Sequence, residues 1–396
     1  MLSFENWVRD IRREFHRNPE LSFHEYGTQA RIISILEGLG IECRKIADTG
    51  VIAEVRGGGP GPCIAIRSDT DALSAHESLT KFNEDYISQK PGVMHACGHD
   101  GHMAIVLGVA RLIKERRREF CGSVRFIFQP AEEIPPGGAV RVIEEGGLEG
   151  VDAIIGLHIF GDVDVGTINI LAGPFMANSN RFTVNITGKG GHHSTPDMCI
   201  DPILVMSEFI SSLNPLVSQK VSPSDHVLGF GTINAAGQFN RSPDEVELVG
   251  SFRTFDDGDI DVIEGTMSSI LDSLMDSYSV EGIEGVPSYD LNIERGYPVL
   301  FNDPVFTGSA SRLLKNKFEK VNTHVEPIFG AEDFAYYLQE VPGVYMVIGT
   351  RNVEKGIVEG NHSSSFDIDE DILVMGVDML YSIAVDFLKG PGAYLE

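Results

Sequence analysis

Cys63-Ile-Ala-Ile-Arg67-Ser-Asp69-Thr-Asp71 is a short apolar run that ends in two acids. It reads as a buried strand delivering carboxylates at its C-terminal end. Working outward, a helix is expected from His102 to about Arg117, burying Ile105, Val106, Val109 and Leu112. A strand at Val124–Phe128, a short helix around Ala139–Glu145 and a strand at Ala153–Leu157 follow. Upstream lie a strand at Val51–Val55 and a helix carrying Ile32, Ile33 and Leu36 that ends near Gly40. Phe4, Trp7, Val8, Ile11 and Phe15 recur at helical spacing, and that helix should stop before Asn18-Pro19. Strands alternating with helices predict a mostly parallel sheet flanked by helices on both faces.

Between about Arg181 and Asn292 the pattern changes. The order is strand (Phe182–Thr187), helix (Pro202–Leu213), strands (Val227–Ile233 and Glu245–Thr254), helix (Ile260–Tyr278), then strand. This β-α-β-β-α-β order is the ferredoxin-like split motif. Helices near Val305–Phe318 and Asp369–Phe387 and a strand at Val344–Ile348 return to the first style. The expected architecture is a discontinuous α/β main domain over residues 1–178 and 293–396, interrupted by a smaller inserted α+β domain over 179–292.

At 396 residues two domains are the default. Lys and Arg number 31 against 58 Asp and Glu, a formal charge of -27, which argues against nucleic-acid and anionic-membrane surfaces. No secretion signal is visible at the N-terminus, and no apolar run approaches the roughly 18 residues of a membrane span. Five scattered cysteines, an odd number, fit a reducing compartment, so a cytoplasmic location is expected.

The unusual residues fall on strand ends. Asp69 and Asp71 follow one strand, Glu132 and Glu133 a second, and His158 a third, at the edge where open α/β sheets build sites. His95-Ala-Cys97-Gly-His99-Asp100-Gly-His102 packs three imidazoles, a thiol and a carboxylate just before a helix, and His362 arrives late. Cys and His with carboxylates suit zinc, and a more oxygen-rich site admits manganese or cobalt. Of two adjacent carboxylates leaving a strand, one can bind metal while the other carries protons. Each feature has a plainer reading: a solvated helix N-terminus, a loop Glu-Glu pair, turn-capping aspartates, core histidines. Their convergence on one sheet edge is what favours a site.

The chain closely resembles the amidohydrolase branch of the aminoacylase and glutamate-carboxypeptidase family, which holds hippurate hydrolases, N-acyl-amino-acid amidohydrolases and plant auxin-conjugate hydrolases. The resemblance rests on Phe15-His-Arg-Asn-Pro-Glu-Leu-Ser-Phe, Arg67-Ser-Asp-Thr-Asp-Ala-Leu, Met94-His-Ala-Cys-Gly-His-Asp-Gly-His and Phe128-Gln-Pro-Ala-Glu-Glu. It continues through Gly156-Leu-His, Gly188-Lys-Gly-Gly-His, Phe252-Arg-Thr-Phe-Asp and Gly330-Ala-Glu-Asp-Phe-Ala-Tyr-Tyr. It implies two divalent ions per subunit (zinc or manganese, with cobalt and nickel as alternatives) on Cys97, His99, Glu133, His158 and His362. It makes the main domain catalytic and the inserted one a lid or dimerisation domain. It further implies Glu132 as general base and acid, with Asp69 and Asp71 as supporting acids. His192 would stabilise the oxyanion in a partner subunit's site, and Asn240 and Arg253 would grip the substrate carboxylate.

Departures from the family pattern are Ser74, His193, Asn240-Arg-Ser-Pro and Ser363-Ser-Ser, which bear on substrate identity. The expected activity is hydrolysis of an N-acyl-L-amino acid by a homodimer or dimer of dimers, with no nucleic-acid or membrane partner. A dipeptidase or carboxypeptidase shares the centre. Two further rivals are a metal-binding protein without turnover and a thiol hydrolase using Cys97 with His95 or His99.

Overall fold

The structure, a computed structural model, describes residues 3–281 and 286–396. Residues 1, 2 and 282–285 fall within the expected domain ranges but lie outside the described residues. The chain divides into two compact units. One is Met1–Phe175 with Leu300–Glu326 and Glu332–Glu396, and the other is Met176–Val299 with Pro327–Ala331. The second unit therefore starts at Met176 instead of 179 and ends at Val299 instead of 292. It also takes in residues 327–331, which the sequence reading gave to the catalytic domain. Backbone pairing explains that addition, because the Ala177 N–H donates to the Ile328 and Gly330 carbonyls at 2.9 and 3.0 Å.

The first unit is built on an eight-stranded sheet. Its spatial order is Cys43–Ile46, Gly50–Arg56, Ser123–Gln129, Cys63–Asp69, Ala153–Asp164, Gly343–Arg351, Ile168–Asn169 and Val321–Asn322. The four strands from Ser123–Gln129 through Gly343–Arg351 are parallel, and antiparallel pairing is confined to their flanks. They are buried along nearly their whole length, as strands covered on both faces must be. Helices Phe4–Arg17, His99–Glu115 and Ile372–Lys389 supply Val8, Ile105, Val109, Leu380 and Ile383 to one contiguous apolar core.

Two expected boundaries move, and both moves matter for the site. The helix expected from His102 begins at His99, so His99 and His102 occupy its first turn. Gly98 makes this possible: its φ of 91° is left-handed, and its carbonyl accepts from the Gly101 and His102 N–H groups. At Gly101 a Cβ would meet Ile159 Cδ1 at 2.6 Å, so only glycine lets this turn approach the neighbouring strand. That strand, expected to stop at Leu157, runs on to Asp164, and His158 lies within it. Pairing with Gly343–Arg351 carries it forward, with Val347 opposite His158.

The second unit contains a four-stranded antiparallel sheet ordered His226–Ala235, Glu245–Thr254, Asn180–Thr187, Ser288–Arg295. With the strands numbered in chain order this is 2-3-1-4, the arrangement a split β-α-β motif produces. Phe182, Val184, Ile186, Val246, Leu248 and Phe252 alternate onto one face and pack with Phe209, Leu213, Ile263 and Leu271 of the two helices. No helix among the described residues is long and apolar enough to cross a membrane.

Candidate metal centre

Each of the four parallel strands feeds one place. Asp69 ends the first, Glu132 and Glu133 follow the second, His158 lies in the third, and His362 follows the fourth. Cys97 and His99 enter from the turn that starts the helix after the first strand.

Local backbone geometry aims several of these side chains. Ala131 and His362 have φ of 54° and 69°, left-handed values that cost a non-glycine residue about 1 kcal/mol each and persist only where surroundings enforce them. The Ala131 N–H is held by Glu25 at 2.9 Å, which fixes the turn that presents Glu132 and Glu133. His362 N–H donates to the Ala96 carbonyl at 2.8 Å. Asn361 Nδ2 donates to the carbonyls of Cys97 and Ile159 at 3.0 and 2.9 Å, latching the His362 loop onto two segments that carry candidate ligands.

Hydrogen bonds also select which imidazole nitrogens are free. His99 Nδ1–H donates to the Asp71 carbonyl at 2.9 Å, and His158 Nδ1–H to the Ile159 carbonyl at 2.9 Å. Both rings therefore present Nε2, as histidines that bind metal usually do. His158 Nε2 and His362 Nε2 each lie 3.3 Å from Cys97 Sγ. Glu133 Oε1 is 3.8 Å from His99 Nε2 and 3.6 Å from His362 Nε2.

His102 differs. Its Nε2 accepts the Ile159 N–H at 2.9 Å and its Nδ1–H donates to Asp69 Oδ1 at 2.7 Å, so neither nitrogen is available to a cation. Asp69 also pairs with Arg67 Nη1 at 2.8 Å and lies 3.7 Å from His99 Nε2. Asp71 Oδ2 accepts from Ser22 Oγ at 2.7 Å and from the Glu133 N–H at 3.0 Å, holding the backbone of a candidate ligand.

The donor set fits divalent cations. His99 Nε2 and Glu133 Oε1 are buried with no hydrogen-bond partner among the described residues, a costly state unless something positive sits between them. Tetrahedral coordination with bonds of about 2.0–2.3 Å places ligand atoms roughly 3.3–3.8 Å apart, which is the spacing found. Two sets, Cys97 with His99 and His158, and Cys97 with Glu133 and His362, converge on the shared thiol. Burial and Glu133 push the Cys97 thiol pKa well up, and burial pushes the Glu133 carboxyl up. Cations would therefore displace protons from this pocket.

Glu132 lies near His99 and Glu133 and also meets a second group of acids. Its carboxylate lies within 4.8 Å of those of Glu332 and Asp333, and burial, Glu332, Glu133 and Asp333 hold its pKa well above the usual carboxylate range. Arg67 Nη2 binds Glu332 and Asp333 at 3.0 and 2.7 Å, and Tyr345 Oη–H donates to Glu332 at 2.7 Å. The sequence reading gave Glu332, Asp333 and Arg67 no role. The paired acids within Gly330-Ala-Glu-Asp-Phe were the available signal.

The remaining expected residues belong to the second unit. His192 and Asn240 meet there: His192 Nε2 is 3.4 Å from Asn240 Nδ2, while Nδ1 is 2.7 Å from Ser194 Oγ, all exposed. The two-residue ladder of Gly191–His192 with Arg241–Ser242 brings them together. Arg253, half-buried on Glu245–Thr254, donates to the Phe329 carbonyl at 2.8 Å and has no carboxylate partner among the described residues.

A thiol, three imidazoles and a carboxylate at ligand spacing, beside a second buried carboxylate whose pKa is raised toward the range of a proton carrier, fit a metal-dependent hydrolase. Comparison with known proteins agrees. The chain belongs to peptidase family M20/M25/M40, which it matches over residues 65–386. It is 37% identical over 387 residues to thermostable carboxypeptidase 2 of Saccharolobus solfataricus, covering 97% of this chain and 96% of that one. It is also 37% identical over 390 residues to N-acetylcysteine deacetylase of Bacillus subtilis, covering 98% of each. The crystal structure of the Bacillus subtilis YXEP protein, a dinuclear metal-binding peptidase, aligns with a TM-score of 0.85 at 35% identity over 98% of this chain and 99% of that one.

Proposed function

We propose that this protein hydrolyses the amide bond of an N-acyl-L-amino acid, releasing a carboxylic acid and a free amino acid. The observation that carries this reading is a pair of adjacent carboxylates with different surroundings: Glu133 lies against His99 and His362, while Glu132, also near His99 and Glu133, reaches the acids Glu332 and Asp333. One adjacent carboxylate suits a cation and the other suits proton transfer, the combination amide hydrolysis needs. The likeness to N-acetylcysteine deacetylase over 98% of both chains supports an N-acyl amino acid as substrate.

In this reading Cys97, His99, Glu133, His158 and His362 hold two divalent ions, zinc or manganese, with cobalt and nickel as alternatives. Bound cations supply Lewis acidity and make water acidic enough to ionise near neutral pH. Glu132 takes a proton from the attacking water and returns one to the departing nitrogen. Asp71 fixes the His99 ring and the Glu133 backbone, and Asp69 orients His102 beneath them. His192 donates to the developing oxyanion in a partner subunit's site.

Arg253 and Asn240 grip the α-carboxylate of the amino-acid half. Burial lowers the Arg253 pKa, and no carboxylate among the described residues pairs with it, which suits a guanidinium that binds an anionic substrate group. A homodimer through the second unit, or a dimer of such dimers, is supported by the edge strand His226–Ala235, which exposes Val227, Phe230 and Ile233. The five free cysteines support a reducing, cytoplasmic setting.

The likeness to a carboxypeptidase favours a second reading in which the acyl half is a peptide. One screen separates them: N-acetyl, N-benzoyl and N-indoleacetyl amino acids beside dipeptides and longer peptides, each with its α-amide. N-acyl amino acids should turn over fastest, and amidation should cost roughly ten- to a hundredfold, the worth of a charge-assisted hydrogen bond. Preference for peptides would shift the assignment to the carboxypeptidase reading, and equal rates on acid and amide would remove the carboxylate grip.

A further inference from the structure

Helix Phe4–Arg17 contributes no candidate ligand, yet its Arg12 touches both segments that bring ligands from distant parts of the chain. The guanidinium is fully buried. Its Nε lies 2.7 Å from Asp100 Oδ2 and its Nη2 lies 2.9 Å from Asp367 Oδ1, with a longer contact of 3.5 Å to Glu370. Asp100 directly follows His99, and Asp367 lies on the loop that carries His362. Each anchor is held a second time. His16 Nδ1 is 2.8 Å from Asp100 Oδ2 and its Nε2 is 3.0 Å from Glu77 Oε1. Tyr86 Oη–H donates to Asp367 Oδ2 at 2.7 Å, and the Tyr86 ring lies under the guanidinium at 4.8 Å.

Stability alone accounts poorly for such a cluster. Buried ion pairs carry desolvation penalties that often cancel their attraction, and apolar replacements of similar volume commonly do as well. A planar guanidinium with fixed donors does something apolar packing does not: it sets the separation and orientation of two carboxylates. Here one carboxylate is on the residue next to His99 and the other is five residues along the loop from His362.

We propose that Arg12 is a positioning residue for the metal centre, holding the His99 and His362 segments in register before any cation binds. The proposal rests on the metal-centre reading above. Preorganised donors bind cations tightly because little ordering remains to be done on binding. Loss of Arg12 therefore weakens cation affinity even where the protein stays folded.

The test titrates cobalt(II) into the chelator-stripped full chain, at a temperature where circular dichroism shows every variant folded. The thiolate-to-cobalt absorption from Cys97 reports binding without reference to activity. Arg12→Lys keeps the charge but not the fork, and should raise the cobalt concentration at half-saturation by about tenfold or more, as loss of supporting groups around metal ligands typically does. Tyr86→Phe removes one hydroxyl from the same anchor and should move it in the same direction by a smaller factor. A lower melting temperature with unchanged cobalt affinity in Arg12→Lys would mean the cluster is merely structural and would overturn the proposal. If Arg12→Lys does not fold, unchanged affinity in Tyr86→Phe overturns it instead. Absence of cobalt binding by the unmodified protein would overturn the metal-centre reading and this proposal with it.

Discussion

His362 Nε2 lies 3.3 Å from Cys97 Sγ although 265 positions separate the two residues. The thiol is also 3.3 Å from His158 Nε2, so Cys97 belongs to both candidate donor sets and His362 to one. This asymmetry predicts different losses of metal. Cys97→Ala should strip both ions, whereas His362→Ala should leave about one per chain, read by elemental analysis after reloading and desalting. Equal retention in the two variants would show that the thiol is not shared.

Glu132 and Glu133 are neighbours that should fail differently. Glu132→Gln keeps the shape but removes the proton carrier, so kcat should fall by about a hundredfold or more with metal content near normal. Glu133→Gln should lose metal as well as activity. A Glu132→Gln enzyme that keeps most of its turnover would end the proton-shuttle assignment.

If His192 serves a partner's site, two inactive proteins should rescue one another. Mixing Glu132→Ala with His192→Ala after partial unfolding and reassembly makes half the dimers mixed. One site in each mixed dimer then has both groups, so about one quarter of all sites should recover. A mixture that stays inactive would mean that His192 acts within its own chain, and a His192→Ala protein active by itself would mean that it has no such role.

Stability should fall on the alkaline side through His16. Burial and the adjacent Arg12 act to lower its pKa, but Asp100 and Glu77 outweigh them and raise it to about 9. An unfolded histidine titrates near 6.5, so the stabilisation is complete below about pH 6.5 and is lost as pH rises through 9. The difference amounts to roughly 3 kcal/mol. Urea unfolding should show it as a falling midpoint above about pH 7, a slope that His16→Gln should flatten. Identical pH profiles for the two proteins would show that His16 is not charged in the native state.

The four parallel strands and the ferredoxin-like order were legible because both announce themselves locally, as apolar runs and as alternation. Glu133 and His158 stood out as donors at strand ends and Cys97 and His99 as part of a donor-rich run before a helix, whereas their grouping with His362 as one ligand set came from the family resemblance. What sequence did not reveal depends on distance. The Arg67 contacts with Glu332 and Asp333 span more than 260 positions, and the Arg12 contact with Asp367 spans 355, so no periodicity records them. His102 looked no different from His99 in the cluster. Only the Ile159 N–H seated on its Nε2 separates them. The ladder that joins His192 to Asn240 is two residues long and rests on backbone bonds, which leave no side-chain pattern.

The central claim is amide hydrolysis that depends on two cations, and stepwise reloading tests it most directly. Chelator-stripped protein would receive zinc or manganese in fractions of an equivalent while the amino acid released from an N-acetyl amino acid is measured. The account predicts negligible turnover without metal and a maximum reached near two ions per chain. Full turnover with one ion per chain, or with none, would contradict it.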